Sequence, residues 1–427
     1  MKTTITRRHF LQSTLLAGAA PLLLPASARS SVNRSAPGDR ITLGFIGVGR
    51  QGRTLLDAFL RKKETQVVAV CDVDTVRREH ARKLVNRFYA EQTGREDYED
   101  CTASNDFLEV LARDDVDGVV VATPDHWHAI PVVRAAEAGK DIYCETPLSL
   151  TVREARVMAN AVRNYERVCQ TGSQQRSMAN FRLACELVRN GRIGQVKSVH
   201  VGVGGPSDWC DLPETRNPAG LDWNRWLGSA PYRGWSEVLS PVGVHQHYPR
   251  WRNYREYSGG GMTDWGAHHF DIAQWGLGMD HTGPVEIIPP EGRHIKLLTY
   301  RYANGIDLYH IQQNGVTFTG TEGTIHVNRG VLESVPDSLV REPLRAGDLR
   351  LPVSEDHLQN WLDCIRTREK PVCDVEIGAR SATVCHLGNL AYWNKKPLRW
   401  NPQIERFAGE NGNNRWLDVE RRNPWVL

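Results

Sequence analysis

The chain has 427 residues, of which 40% are hydrophobic and 24% are charged, with a formal net charge of +3. This length is enough for two globular domains with apolar cores. The basic and acidic residues, 53 against 50, are nearly balanced, and no lysine- or arginine-rich run follows the N-terminal segment. Composition therefore argues against nucleic acid or an anionic membrane surface as the main partner. No apolar run of about eighteen residues, the length of a membrane-spanning helix, occurs.

The N-terminal segment reads as an export signal. Arg7 and Arg8 are followed by an apolar run over residues 15–24 and by Ala26-Ser27-Ala28. Twin arginines, a short apolar region and an A-x-A site are typical of a twin-arginine signal peptide, here residues 1–28. The nine cysteines contain no C-x-x-C pair, which suits folding in the reducing cytosol before export. We therefore expect a periplasmic protein; the alternative is an uncleaved hydrophobic tail on a cytoplasmic one.

The first structural motif after this segment is a glycine-rich turn. An apolar strand over residues 41–46 runs directly into Gly47-Val48-Gly49-Arg50-Gln51-Gly52, and helical apolar spacing follows over residues 54–60. Strand, G-x-G-x-x-G and helix in this order form the dinucleotide-binding fingerprint. The glycines allow a tight turn and close backbone approach, and the helix N-terminus favours the pyrophosphate.

The second strand, residues 67–71, ends at Asp72, twenty residues beyond Gly52. A carboxylate at this distance accepts hydrogen bonds from the adenosine ribose hydroxyls and repels a 2′-phosphate. This favours NAD over NADP, although Arg50, Arg77 and Arg78 lie near enough in sequence to keep NADP open.

Two further strands end in polar residues. Residues 119–122 run into Thr123-Pro124-Asp125-His126-Trp127-His128, and residues 141–144 run into Glu145-Thr146-Pro147. Ligands of open parallel sheets bind at the carboxyl ends of the strands, so both polar segments should face the cofactor. A Rossmann domain is therefore predicted over residues 39–150.

The second half has a different pattern. Thr151 and Glu154 form a capping box that begins a helix reaching about Tyr165, and a second helix is predicted over 181–189. Strands then dominate, at 196–203, 295–302 and 306–312, before a helical pattern over 355–366. We predict an α/β domain over 151–400 with a large, mostly antiparallel open sheet and helices on one face, followed by a tail over 401–427.

The richest polar stretch lies in this second domain. It holds His245, His247 and Trp251, then three glycines at 259–261, then Asp264, His268, His269 and Asp271. In a helix Asp264 and His268 would share one face, and a carboxylate that orients an imidazole is a general-base arrangement. A buried histidine capped by a nearby acid is the structural alternative. The ligand types would also suit a metal, but their spacing fits no standard zinc pattern, so no metal is predicted.

Three segments carry a resemblance: GFIGVGRQG, TPDHWHAIPVVRAAEAGKDIYCETP and YSGGGMTDWGAHHFDIAQW. With them the chain resembles the glucose–fructose oxidoreductase, inositol dehydrogenase and rhizopine catabolism (Gfo/Idh/MocA) family. The resemblance implies a sugar pocket over the nicotinamide and a sheet that builds homodimers or homotetramers. It implies that Asp264 and His268 are the catalytic pair. The implied cofactor residues are Gly47, Val48, Gly49, Arg50, Gln51, Gly52, Asp72, Thr123, Pro124, His128, Glu145 and Thr146.

One position departs from the family pattern. The family usually has Glu-Lys-Pro where this chain has Glu145-Thr146-Pro147, and the lysine normally contacts substrate and helps to move its proton. Threonine cannot act as a cation, so His268 acts alone or another pocket residue helps it, with His126, His245 and His247 as candidates. The predicted substrate residues are His126, Trp127, His245, His247, Trp251 and His269.

The predicted activity is therefore oxidation of a sugar or glycoside hydroxyl by hydride transfer to NAD. Because free NAD is scarce outside the cytoplasm, we expect the cofactor to be tightly bound. An alternative is a net non-redox glycoside hydrolase or epimerase that oxidises the sugar transiently. A second alternative is a non-catalytic dinucleotide-binding protein.

Overall fold

The computed structural model describes residues 39–427, so the predicted signal over residues 1–28 lies outside the described residues. A first sheet has six parallel strands in the order β3-β2-β1-β4-β5-β6. The strands are β1 (Ile41–Ile46), β2 (Thr65–Cys71), β3 (Thr102–Ser104), β4 (Gly118–Val121), β5 (Asp141–Cys144) and β6 (Cys169–Thr171). This order is that of the Rossmann fold, with its ligand crevice between the ends of β1 and β4.

Helices cover both faces of this sheet, so its central strands β1, β2, β4 and β5 are mostly apolar and buried. The helices are α1 (Arg50–Leu60), α2 (Thr75–Thr93), α3 (Phe107–Leu111), α4 (Ala129–Glu137) and α5 (Val152–Asn164). The predicted capping box is present at the start of α5, where Thr151 and Glu154 cap each other's backbone amides. Since α5 leads into β6, the parallel sheet continues through Thr171, beyond the boundary predicted at residue 150.

A second sheet has nine strands in the order β13-β12-β11-β7-β10-β9-β8-β14-β15. Only β7 and β10 pair in parallel, and every other pairing between its strands is antiparallel. The predicted α/β fold with a large, mostly antiparallel sheet is thus confirmed. The strands are β7 (Val196–Gly202), β8 (Glu286–Ile288), β9 (Thr299–Arg301), β10 (Asp307–Ile311), β11 (Gly315–Gly320), β12 (Thr324–Asn328), β13 (Val331–Val335), β14 (Leu398–Asn401) and β15 (Arg406–Ala408).

Helices pack against the apolar face of this sheet and form one core with it. The helices after β6 are α6 (Ala179–Arg189), α7 (Trp223–Leu227), α8 (Gly261–Asp264), α9 (Gly266–Leu277), α10 (Ser338–Arg341), α11 (His357–Thr367) and α12 (Val375–Asn394). Two of them lie outside this core: α11 packs in the core of the first sheet, and α7 belongs to a smaller separate cluster. Helix α12 was not predicted from the sequence, because its residues are buried on nearly every side and leave no amphipathic stripe. The predicted tail is also partly sheet, since β15 extends the edge beyond residue 401.

Candidate active site

The turn after β1 has the geometry of a phosphate cradle. Gly47 has φ +87°, and a Cβ there would lie 2.7 Å from the carbonyl oxygen of Ala122. A Cβ on Gly52 would lie 2.1 Å from the carbonyl oxygen of Gly47, so the helix can pack this closely only with glycine. A Cβ on Gly49 would meet nothing within 4 Å, and no side chain caps the N-terminus of α1. The open space and uncapped helix end fit a pyrophosphate.

Asp72 lies at the carboxyl end of β2, beside this turn. Its carboxylate accepts hydrogen bonds from the backbone amides of Val48 and Asp74, both at 2.9 Å. Burial raises the pKa of Asp72, and the charge of Arg77 opposes that shift. Each carboxylate oxygen keeps a further lone pair, so Asp72 can also accept from ribose hydroxyls, as the fingerprint requires.

One cavity of about 460 Å³ joins this cradle to the polar stretch of the second half. That volume lies within the usual range for small-molecule sites. Most of the site residues predicted from the sequence line it. They are Gly47, Gly49, Arg50, Gln51, Asp72, Thr123, Pro124, Trp127, Glu145, Thr146, His245, Trp251, Asp264 and His268.

His268, on α9, faces the end of β5 across the cavity. Its Nε2 lies 3.3 Å from the hydroxyl of Thr146. Burial lowers the pKa of His268 to about 3, and the positive charge of Arg329 adds to the effect. The imidazole is therefore neutral at neutral pH and able to accept a proton. Its Nδ1 is buried without a hydrogen-bond partner among the described residues.

The predicted Asp264–His268 pair is not formed as expected. The helix is interrupted at Trp265, where α8 ends and α9 begins, so the two side chains do not share one continuous helical face. Asp264 instead pairs with Arg252, whose Nε lies 3.3 Å from its carboxylate. Both side chains line the cavity, but among the described residues no hydrogen bond joins Asp264 to His268.

Asp271 is held by side chains that do not line the cavity. Its carboxylate accepts two hydrogen bonds from Arg176, at 2.7 and 2.9 Å, and one from Ser381 at 2.8 Å. Asp271 and Arg176 are both buried, and Arg176 also pairs with Asp280. This cluster ties α9 to α12 and to the segment before α6.

Glu145 lines the cavity beside Thr146. Its carboxylate accepts from the side-chain amide of Gln51 at 2.9 Å and from the backbone amide of Thr146 at 3.1 Å. Burial raises the pKa of Glu145. Because Gln51 belongs to the first turn of α1, this contact links the phosphate cradle to the His268–Thr146 pair.

Several predicted site residues lie behind the cavity wall or outside it. His128 bridges the carbonyls of Pro147 and Thr123, and so holds two cavity loops together. His126 is bonded to the carbonyl of Trp226 and His269 to that of Gly202, while Val48 and Gly52 are packed inside the turn. His247 is exposed and stacks on His245. None of these six residues lines the cavity, so a contact of any of them with cofactor or substrate stays a prediction.

Several residues that were not predicted as site residues also line the cavity. Arg329, at the tip of the β12–β13 hairpin, lies 4.8 Å from the centroid of the Trp265 ring. Asp125 lines the cavity with a buried carboxyl group, and burial raises its pKa well above the usual value. Arg252 adjoins Trp251 and could have been found there, but no local pattern marks Arg329. The other added residues include Tyr248, Trp265, Gln174 and Trp425.

Two features are absent from the part of the chain that the structure describes. Within residues 39–427, no three histidine, cysteine or acidic side chains come together as a possible metal site. No helix in the same range is both long and apolar enough to cross a membrane.

Solved structures with the same fold support the architecture. An aldose-aldose oxidoreductase from Caulobacter crescentus is 18% identical, with a TM-score of 0.58 over 84% of this chain and 99% of that one. The WlbA dehydrogenase from Bordetella pertussis, solved with NADH and UDP-GlcNAcA, is 17% identical, with a TM-score of 0.59 over 85% and 99%.

Curated relatives match part of the chain. A glycosyl hydrolase family 109 protein of Shewanella pealeana is 28% identical over 210 residues, or 45% of this chain and 44% of the relative. An alpha-N-acetylgalactosaminidase of Shewanella oneidensis is 29% identical over 213 residues, with the same coverage. The chain thus spans less than half the length of these relatives.

Family models match nearly all of the described chain. Residues 41–173 match the oxidoreductase family NAD-binding Rossmann fold, and residues 193–427 match the oxidoreductase family C-terminal alpha/beta domain. The first match ends just after β6, in agreement with the extent of the parallel sheet. Cradle, cavity and both matches lead to one conclusion: the chain belongs to the Gfo/Idh/MocA oxidoreductase family.

Proposed function

We propose that this protein oxidises a hydroxyl-bearing carbon of a sugar or glycoside, using NAD that stays bound between turnovers. One observation carries the proposal: the dinucleotide cradle and the His268–Thr146 pair open onto the same cavity. A substrate there can meet both the cofactor and a proton acceptor. When bound, the dinucleotide supplies the hydride acceptor.

Side chains of this protein would accept the proton and bind the sugar. The neutral imidazole of His268 accepts the proton of the substrate hydroxyl at Nε2. The hydroxyl of Thr146 lies beside Nε2 and helps to orient the imidazole. The Arg252–Asp264 pair supplies charged donors and acceptors on the same wall. Trp251 and Trp265 also line the cavity and offer aromatic faces for a sugar ring.

NAD is the proposed dinucleotide because Asp72 lies in the cavity at the carboxyl end of β2. Its carboxylate would bind ribose hydroxyls and repel a 2′-phosphate. Purified protein should release close to one NAD per chain on denaturation, even after extensive dialysis. Absence of any dinucleotide, together with failure to bind added NAD or NADP, would contradict the proposal.

A net non-redox reaction is the second candidate, favoured by the relatives named as family 109 glycosyl hydrolases. Removal of hydride and hydroxyl proton leaves a ketone on the sugar, which acidifies the neighbouring C–H. For hydrolysis, loss of that proton expels the glycosidic oxygen, which takes up a proton, and water then adds to the resulting unsaturated ketone. For epimerisation, a proton returns to the opposite face of the same carbon. Return of the hydride and a proton then regenerates the alcohol, so no external oxidant is consumed.

Product analysis with purified protein and a panel of glycosides separates these candidates. A keto-sugar with accumulated reduced cofactor supports oxidation, whereas a released or inverted sugar with no change in cofactor supports the non-redox cycle. His268→Ala should strongly lower either activity, and His281→Ala, which changes an exposed histidine beyond α9, serves as the matched control. If neither wild type nor variant acts on any glycoside, the non-catalytic alternative gains support.

We also propose export to the periplasm and assembly into a homodimer or homotetramer. The basis for export is the sequence pattern over residues 1–28, and Arg7→Lys combined with Arg8→Lys should keep the protein in the cytoplasm on cell fractionation. The basis for assembly is the family resemblance, and light scattering of the purified protein should give a mass of two or four chains. A monomer would contradict the second proposal.

A further inference from the structure

Three arginines of the Rossmann half bind the backbone of one segment from the other half. We call this segment, residues 241–248, the strap. Arg50 and Arg53 lie on α1, and Arg77 lies in the first turn of α2. The guanidinium groups donate to four strap carbonyls: Arg50 to Gln246 at 3.0 Å, Arg53 to His245, and Arg77 to Gly243 at 3.0 Å and to Pro241.

The strap crosses the cradle near its adenosine end. It connects the first two turns of α1 to the first turn of α2, on either side of Asp72 at the end of β2. Its last residue, Tyr248, donates from its hydroxyl to the side chain of Gln51 at 3.0 Å. His245 and Tyr248 line the same cavity as Gly49 and Asp72. A dinucleotide on Asp72 would therefore lie against the strap.

A second connection encloses the same end from another side. The backbone amide of Thr75 donates to the carbonyl of Gly220 at 2.8 Å, and the amide of Asp222 donates to the carbonyl of Val73 at 3.0 Å. Val73 and Thr75 lie just after Asp72 in the chain. The adenosine end of the cavity is thus bounded by two segments of the second half.

The three arginines that hold the strap place positive charge beside the cradle, and a bound dinucleotide would neutralise that charge. Burial lowers the pKa of Arg53, and the neighbouring charges of Arg50 and Arg77 lower it further. Among the described residues, the three arginines make one ion pair, between Arg77 and Asp74. Their contacts with the strap are to carbonyl oxygens, which carry no net charge. A pyrophosphate at the N-terminus of α1 would offset this positive charge.

We propose that the strap closes over the adenosine half of the bound dinucleotide, which leaves only when the strap detaches from the three arginines. The same contacts select against a 2′-phosphate, because the guanidinium groups that could bind it are already engaged with carbonyl oxygens. This inference rests on the proposed function, since it requires a dinucleotide in the cradle. It assigns retention and selection of the cofactor to residues that take no part in the chemistry.

The test measures NAD release from the full-length protein loaded with NAD. The protein is diluted into an excess of an NAD-hydrolysing enzyme, and the NAD that remains bound is measured over time. Arg53→Ala should raise the dissociation rate at least tenfold, as should Arg77→Ala. Arg61→Ala is the matched control, because Arg61 follows α1 directly and within residues 39–427 its only ion pair is with exposed Asp57. Its release rate should stay within twofold of wild type.

A second variant perturbs the strap without removing a charge. Gly243 has φ +73°, so Gly243→Val strains the strap backbone, while a Cβ there meets only Val76 at 3.9 Å. It should also release NAD faster and should bind NADP more readily than wild type does. Unchanged release rates in all strap variants that bind NAD would overturn the strap proposal alone. A wild-type protein that binds no dinucleotide would overturn this proposal together with the proposed function.

Discussion

The buried ion pair between Asp271 and Arg176 tests whether Asp271 stabilises the fold while Asp264 serves the active site. The sequence places Asp264 and Asp271 on either side of His268, yet the structure gives them different environments. Asp271 is fully buried and accepts three hydrogen bonds, whereas the side chain of Asp264 is 33% exposed in the cavity. Asp271→Asn and Asp264→Asn therefore form a matched pair of substitutions with opposite expected effects.

The magnitude for Asp271→Asn follows from its partners. The amide keeps the shape of the carboxylate but has one acceptor oxygen, so one N–H of Arg176 loses its acceptor and a buried guanidinium loses one of its two counter-charges. Breaking a buried ion pair costs about 3–5 kcal/mol. Arg176 retains Asp280, whose side chain is 19% exposed, so we expect the lower end, about 3 kcal/mol.

Asp264→Asn should cost much less stability. Its pair with Arg252 spans 3.3 Å and is partly exposed, and such pairs contribute about 0–1 kcal/mol. Its effect should appear in kcat/KM, because the pair lines the cavity. Asp271→Asn should leave the dinucleotide content of the folded protein unchanged.

Urea unfolding followed by tryptophan fluorescence measures the difference between the two variants. With similar m values, the midpoint for Asp271→Asn should fall well below that for Asp264→Asn. A loss below about 1 kcal/mol for Asp271→Asn would refute the reasoning, since a buried guanidinium would then tolerate the loss of its partner. So would a larger loss for Asp264→Asn than for Asp271→Asn.

Three further predictions concern the histidines and Thr146. His268→Ala should lower kcat by about 10²- to 10⁴-fold without changing the bound NAD, and an unchanged kcat would exclude His268 as the proton acceptor. Thr146→Val should lower kcat/KM by about tenfold because it removes the hydroxyl near Nε2, and Thr146→Ser should restore activity; equal activity in all three would contradict the orienting role. The free energy of unfolding should fall as pH drops from about 6.5 towards 4, by roughly 1.4 kcal/mol per pH unit for each histidine, because these groups are neutral when folded and bind protons when unfolded. Thermal unfolding at pH 7 and pH 4.5 checks this, and equal midpoints would contradict it. The histidines whose pKa burial lowers to about 4 or below are His126, His268, His269, His357 and His386.

Much of the site could be predicted from the sequence because its cofactor half is local. The strand, the glycine turn, α1 and Asp72 lie within about thirty residues, and each is determined by steric and hydrogen-bonding limits on neighbouring residues. Gly47 and Gly52 are required where a Cβ would collide with backbone, which a sequence pattern records directly. The capping box at Thr151 was predictable for the same reason, since both of its hydrogen bonds span three residues.

The substrate half was decided by tertiary structure. The spacing of Asp264 and His268 suggested a pair, but the interruption at Trp265 turns Asp264 towards Arg252 and leaves His268 to Thr146, which is 122 residues away in sequence. Arg329 reaches the cavity from a hairpin of the second sheet, and the strap reaches α1 from nearly two hundred residues away. Hydrogen bonds across such separations depend on how the two halves pack, and no local periodicity records that packing. The sequence by itself therefore determined the cradle and the two sheet types, whereas the partner of each charged side chain in the cavity was decided only when the chain folded.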